Sequence, residues 1–142
     1  MKIGILGGTF NPVHVEHVEI ARSAISELNL DQLIVMPTFM SPHKNTTPAP
    51  AEDRLNMLKI AFADLDKVTV SDYEILKQGK SYTYLTVEHF KKDGVELYFI
   101  CGGDMLTDFK TWRYPERILA SANLAFFDRD EFFTDDKAER KL

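Results

Sequence analysis

The first seventeen residues, MKIGILGGTFNPVHVEH, limit what this chain can fold into more than any other stretch. Residues 2–6 form a short apolar run that reads as a buried strand. Gly7 and Gly8 follow at once, then Thr9, Phe10, Asn11 and Pro12, and a helical pattern starts near His14. A strand, a glycine turn and a helix N-terminus in that order make an anion site. Glycines let the backbone approach a ligand, and the first helical turn offers unpaired N–H groups with a partial positive charge. Pro12 holds Asn11 extended, so the loop cannot wind early into the helix. His14 and His17 are three apart and project from one face of that turn. Two such donors beside a phosphate-binding turn suit chemistry in which negative charge develops on a phosphoryl group. Histidines at this spacing also ligate zinc, but no cysteine or third ligand has suitable local spacing, and no metal site is expected.

The remaining pattern alternates. A helix over 14–28 carries Val18, Ala21, Ile25 and Leu28 as its apolar stripe, and 32–37 reads as a second strand. The polar, proline-rich loop TFMSPHKNTTPAPAE comes next, longer than a tight connection needs. A helix over 51–62 places Leu55, Leu58 and Phe62 at core spacing, and a third strand is expected over 68–75. Gly79 breaks the chain. Ser81-Tyr82-Thr83 opens another helix, which Gly94 should end from a C′ position. The apolar strand 97–101 runs into Gly102-Gly103-Asp104. A helical stretch to Trp112 is interrupted at Tyr114-Pro115, where Pro115 starts the short helix PERILAS. Residues 124–127 read as a fifth strand, and the charged remainder, DRDEFFTDDKAERKL, as a helix or frayed tail.

Strands alternating with helices predict an α/β fold: a doubly wound, mostly parallel, five-stranded Rossmann-like sheet with helices on both faces. Ligands of such sheets bind at the carboxyl ends of the strands. The loops after strands one, two and four carry the polar residues of interest, and all lie on that rim. At 142 residues, with no repeat or linker, the chain is expected to form one domain over 1–130. Residues 131–142 are expected to be a charged tail or the start of a truncated C-terminal segment.

A hydrophobic fraction of 44% and a charged fraction of 27% are those of an ordinary globular protein. The net charge of −5 argues against a broad nucleic-acid or membrane surface but leaves room for a local basic pocket. The single cysteine, Cys101, excludes an internal disulfide and reads as an inert strand thiol. With no signal peptide and no membrane-length apolar run, a cytoplasmic protein is expected.

GGTFNPVHVEH resembles the GG(S/T)F(D/N)PxHxGH signature of the nucleotidyltransferase superfamily, whose members transfer AMP or CMP to a phosphate or alcohol. Ser41-Pro42-His43-Lys44 resembles the PPHK of that family, where the lysine approaches the ATP phosphates. Ser81-Tyr82-Thr83 with Thr86 resembles the SYTxxT segment of bacterial nicotinate-mononucleotide adenylyltransferases, and CGGDMLTDFKTW resembles their GxDxLxxxxxW. The likeness covers residues 1–129 in the expected order. Two features depart from it. Glu16 stands where the family has glycine against the adenosine, and the family's later S(S/T)TxxR segment has no counterpart.

The resemblance implies condensation of ATP with nicotinate mononucleotide to give deamido-NAD and pyrophosphate, with Mg²⁺ arriving on ATP. His14, His17 and Lys44 would be catalytic. Gly7, Gly8, Thr9, Phe10, Gly102, Asp104 and Arg129 would bind ATP. Tyr82, Thr83 and Trp112 would bind the mononucleotide. Physically, Lys44 is a point charge on a loop able to close over polyphosphate. A helix N-terminus at Tyr82 and Thr83 suits a carboxylate, and Asp104 can accept from a sugar hydroxyl. Trp112 offers a face on which a pyridine ring stacks, worth about 0.5–1.5 kcal/mol beyond burial. Arg54 matches a family arginine with a structural or weakly phosphate-directed role. At about 4 Å and an effective dielectric near 20, the Glu16 carboxylate would repel a phosphate by about 4 kcal/mol unless it swings to solvent or pairs with a cation. Two other readings stay open: a pantetheine-phosphate adenylyltransferase or cytidylyltransferase, and a degenerate or truncated nucleotide-binding module. Homo-oligomerisation is open as well.

Overall fold

The computed structural model describes residues 1–8, 10, 15–39, 50–102, 112–128 and 131–134. In chain order the elements are β1 (Lys2–Gly8), α1 (Val15–Glu27), β2 (Gln32–Pro37), α2 (Ala51–Ala61), β3 (Val68–Val70), α3 (Tyr73–Lys77), α4 (Thr83–Phe90), β4 (Glu96–Gly102), α5 (Pro115–Ser121), β5 (Asn123–Asp128) and β6 (Glu131–Thr134). They build one sheet in the order β3-β2-β1-β4-β5-β6. The first five of these strands run parallel, and β6 returns antiparallel on β5. The chain winds outward from β1 to β3, then crosses back to β4 and winds the other way. The switch point therefore lies between β1 and β4, where a sheet of this kind leaves a crevice at its carboxyl rim.

Three local expectations give way to the structure. The third strand stops at Val70 because the Ser71 hydroxyl accepts the Tyr73 N–H at 3.1 Å, which turns the chain into α3. The helix over SYT ends at Phe90, capped by an extended Lys91, so Gly94 is not its C′ residue. Gly94 instead supplies the positive φ, +80°, of the turn entering β4, and its carbonyl accepts from the Met1 ammonium. The charged remainder after β5 is neither helix nor frayed over Glu131–Thr134; EFFT pairs with β5, with Phe126 opposite Phe133.

Each face of the sheet carries its own apolar layer. Ile5, Ile34, Met36, Leu97, Phe99, Leu124 and Phe126 face Val87 of α4, Ile118 of α5, and Trp112. Leu6, Leu33, Val35, Tyr98 and Ile100 face Ile20, Ala21 and Ala24 of α1, with Leu58 and Phe62 from the α2 segment. The period of two along each strand produces both layers from continuous apolar runs. On the second of these faces α1 and α2 cover β1 and β2; on the first, α4 and α5 cover β4 and β5. Arg117 of α5 holds Glu88 of α4 with a two-pronged contact, Nε at 2.7 Å and Nη2 at 2.5 Å.

β1 is central, and its glycines leave room for side chains of the strands beside it. A Cβ at Gly7 would stand 2.8 Å from the tip of the Phe99 ring, closer than carbon atoms pack. The same ring meets the Trp112 indole in a T-shaped contact, with centroids 6.1 Å apart and planes at 89°. A rigid ring wedged in this way cannot yield locally. Gly7→Ala is therefore expected to cost about 1–3 kcal/mol of stability, and shortening the opposing ring in Gly7→Ala/Phe99→Leu should recover part of that loss. Denaturant unfolding of the two single variants and the double variant checks the coupling.

Candidate active site

The exits of β1 and β4 meet at the switch point. Leu6 pairs with Ile100, and the same register continued by two residues sets Gly8 level with Gly102. The Gly8 carbonyl accepts the Thr38 N–H at 2.9 Å, which also ties the β2 exit to this rim. Past Gly8, Phe10 adopts a left-handed backbone with φ +51°, a conformation costing a non-glycine residue about 1–2 kcal/mol. Burial of its ring, 4% exposed among the α1-side residues, offsets that strain. The ring also packs edge-on against the His17 imidazole at 4.9 Å and 74°. His17 thus sits half-buried in the first turn of α1, oriented by an aromatic neighbour that the β1 exit positions.

The bare sides of Gly7 and Gly8 face rings of the protein itself. The Phe99 ring fills the one, and the Phe10 ring lies 3.3 Å from where a Gly8 Cβ would stand. Both glycines make room for rings that shape the rim. Glu16 is exposed in the first turn of α1.

A second group of residues converges on the β2 exit. Arg54 of α2, 1% exposed, donates to the Thr38 carbonyl at 2.6 Å and to the Phe39 carbonyl at 3.3 Å. These two bonds give the guanidinium a structural role at the β2 exit. The Phe39 N–H donates to Ser81 Oγ at 3.0 Å, fixing the chain that leads into α4. α4 starts with an extended Tyr82 at its N-cap, whose side chain makes no cap hydrogen bond to the first turn. This is the geometry that an anionic group needs at Tyr82 and Thr83. Arg113 lies over the Tyr82 ring at 4.6 Å, adding a cation beside that head.

Trp112 departs from expectation. It is 5% exposed and belongs to the core beside Phe99, so it does not present an open face to solvent. A large indole gains more by filling the α4–α5 layer than by waiting on the surface. Thr9, His14, Lys44, Asp104 and Arg129 lie outside the described residues. Among the described residues no group of three or more His, Cys, Asp or Glu side chains is placed to hold a metal ion. No described helix is long and apolar enough to cross a membrane.

One polar residue escaped the sequence reading. Glu74 of α3 is 6% exposed, and its Oε2 accepts the Thr86 hydroxyl of α4 at 2.6 Å. Burial pushes its carboxyl up to about 7, against the opposing pull of the Thr86 and Ser81 hydroxyls and the Lys77 ammonium. The only sequence signal is an acid inside the apolar run that was read as strand. A carboxyl with a raised folded-state value adds stability below the ordinary glutamate range, and this contribution fades as pH rises through about 7. The melting temperature should therefore fall between pH 5 and 8 by a component that Glu74→Gln abolishes.

Comparison with known proteins agrees with this arrangement. Residues 5–142 match the cytidylyltransferase-like family model. A probable nicotinate-nucleotide adenylyltransferase of Clostridium botulinum (strain Eklund 17B / Type B) is 46% identical over 132 residues, covering 92% of this chain and 66% of the relative. Its counterpart from Aquifex aeolicus is 40% identical over 128 residues, covering 89% and 76%. The chain thus spans about two thirds to three quarters of the length of these relatives. In structure it resembles the Plasmodium falciparum nicotinic acid mononucleotide adenylyltransferase complexed with NaAD. That match has a TM-score of 0.70 at 22% identity and covers 99% of this chain and 71% of the other. The family match over residues 5–142 and identities of 46% and 40% to these relatives place the chain in the nicotinate-nucleotide adenylyltransferase family of cytidylyltransferase-like nucleotidyltransferases.

Proposed function

We propose that the chain condenses ATP with nicotinate mononucleotide to form deamido-NAD and pyrophosphate. The observation that carries this reading is the placement of two anion-suited elements on one rim. The strained β1 exit with His17 lies at the switch point, and the uncapped α4 head is fastened to the neighbouring β2 exit through Ser81. One receives a polyphosphate and the other the carboxylate of a pyridine nucleotide. The relatives' names support the same pair of substrates.

In this reading an oxygen of the mononucleotide phosphate attacks the α-phosphorus of ATP in line. The bond from that phosphorus to the β-phosphate oxygen breaks, and pyrophosphate leaves with the electron pair. There is no covalent intermediate, and rate enhancement comes from positioning and from donors aimed at the developing charge. His17, with His14 from the same motif, stabilises the phosphoryl oxygens, and Lys44 neutralises the departing pyrophosphate. Mg²⁺ arrives bound to ATP as part of the substrate. Gly8, Thr9, Phe10, Gly102, Asp104 and Arg129 contact ATP. The N–H groups of Tyr82 and Thr83 take the carboxylate, with Arg113 reinforcing the preference for an acid over an amide. Trp112 serves this pocket as a buried wall. Residues 1–130 form the nucleotide-binding unit.

Pyrophosphate release from ATP, measured with nicotinate mononucleotide, nicotinamide mononucleotide and phosphopantetheine in turn, decides the reading. The expected result is turnover with the first and little with the others. His17→Ala should lower that turnover on the order of 10²–10³-fold while ATP affinity changes far less, since the donor acts mainly in the transition state. Preference for phosphopantetheine, or turnover undiminished in His17→Ala, would overturn it.

A further inference from the structure

We propose that Glu74 and Thr86 are positioning residues for the mononucleotide pocket, a buried clamp that holds the uncapped head of α4 in register with the β2 exit. The adenylyltransferase reading enters only through the identity of the ligand that this head receives.

α4 is eight residues long and lacks a side-chain cap, so its own start does not fix the direction of its first N–H groups. The restraint comes from the turn that follows. Thr86 is 1% exposed, and its hydroxyl is committed to Glu74 Oε2 on α3. A second restraint acts just upstream, where Ser81 accepts the Phe39 N–H. Phe39 is itself held through its carbonyl by Arg54 of α2. The head of α4 is thereby gripped on both sides of Tyr82 and Thr83, by α3 from one direction and by the β2 exit from the other.

Packing alone does not account for the acid. Removing a carboxyl from water costs free energy that an apolar side chain of similar volume would not incur. Glu74 Oε1 has no hydrogen-bond partner among the described residues, so the site is not a fully satisfied polar core either. It borders a small cavity between α3 and α4 lined also by Lys77, Lys80, Ser81, Tyr82 and Thr86. Lys77 belongs to α3, Lys80 to the α3–α4 connection, and Tyr82 to the α4 head; these are the titratable groups that face the carboxyl. What the pair supplies, and an apolar contact cannot, is direction: a short hydroxyl–carboxyl bond fixes the rotation of α4 about its axis. That rotation sets where the Tyr82 and Thr83 N–H groups aim.

Thr86→Val removes the hydroxyl at nearly constant volume, and Thr86→Ser keeps it. Thr86→Val should raise the KM for nicotinate mononucleotide on the order of tenfold, with kcat and the KM for ATP within about twofold of the parent. Thr86→Ser should restore the KM. On the same proteins without substrate, amide hydrogen exchange at Phe39 and at residues 81–84 should quicken on the order of tenfold in Thr86→Val, against unchanged β1 and β4 amides. If Thr86→Val fails to fold with the Glu74 carboxyl deprived of this donor, Glu74→Leu/Thr86→Val replaces the pair by apolar groups and is read in the same way. Equal changes in both KM values, failure of Thr86→Ser to restore, or unchanged exchange at the α4 head overturns the proposal. If the parent chain makes no product from the mononucleotide, the adenylyltransferase reading falls, and the exchange comparison still decides the clamp.

Discussion

The Phe99 ring contacts both the bare flank of Gly7 and the Trp112 indole, and much of the molecule depends on that ring. It belongs to β4, presses on the bare flank of β1, and gives the indole its edge. The two strands bordering the switch point are therefore locked by a ring contact in addition to their backbone ladder. Gly4 does the corresponding service on the opposite face, where Leu30, Leu33 and Ile100 converge within 2.9 Å of the place a Cβ would take. Side chains at these two positions would collide with residues of the neighbouring strands and the α1–β2 connection. The glycines that mark the nucleotide motif are thus first of all packing devices, and the rim they leave is a consequence.

On that rim the polar groups are arranged in series. Arg54 holds the carbonyls after β2, the Phe39 N–H reaches Ser81, and the chain turns at Tyr82 into α4, where Thr86 meets Glu74. Each link consumes a buried or half-buried polar group, so the network satisfies the backbone at the β2 exit and at the same time places the α4 head. Buried polar groups are costly unless they are paired, and here the pairing coincides with the placement of a binding surface. The Phe10 backbone follows the same logic at the β1 exit, its strain offset by a buried ring that also orients His17.

Much of this was legible in the residues. QLIVMP and PERILAS form the strand and helix their patterns predict, and the opening strand ends at the glycine pair as its pattern requires. What escaped did so for identifiable reasons. Glu74 sits in a run, VTVSDYEIL, whose β-branched start reads as strand. Only a side-chain hydroxyl at Ser71, which accepts the Tyr73 N–H, breaks it into a helix. EFFT is a strand hidden among charges, and its pairing with β5 is a long-range choice that local composition does not encode. The burial of Trp112 depends on the position of Phe99, which packs against the bare flank of Gly7 far earlier in the chain. A pattern reading sees an aromatic in a motif and not the space that awaits it.

The central claim is that two ligands occupy neighbouring but separate places on one rim, ATP at the β1–β4 switch point and the pyridine nucleotide at the α4 head. Amide-resolved NMR during sequential titration tests it most directly, first with a non-hydrolysable ATP analogue and Mg²⁺, then with nicotinate mononucleotide. The account predicts that the analogue shifts Gly8, Phe10, His17 and Gly102 and that the mononucleotide then shifts Tyr82 and Thr83, with the first set retained. Displacement of the analogue by the mononucleotide, or shifts confined to a different face of the sheet, would contradict it.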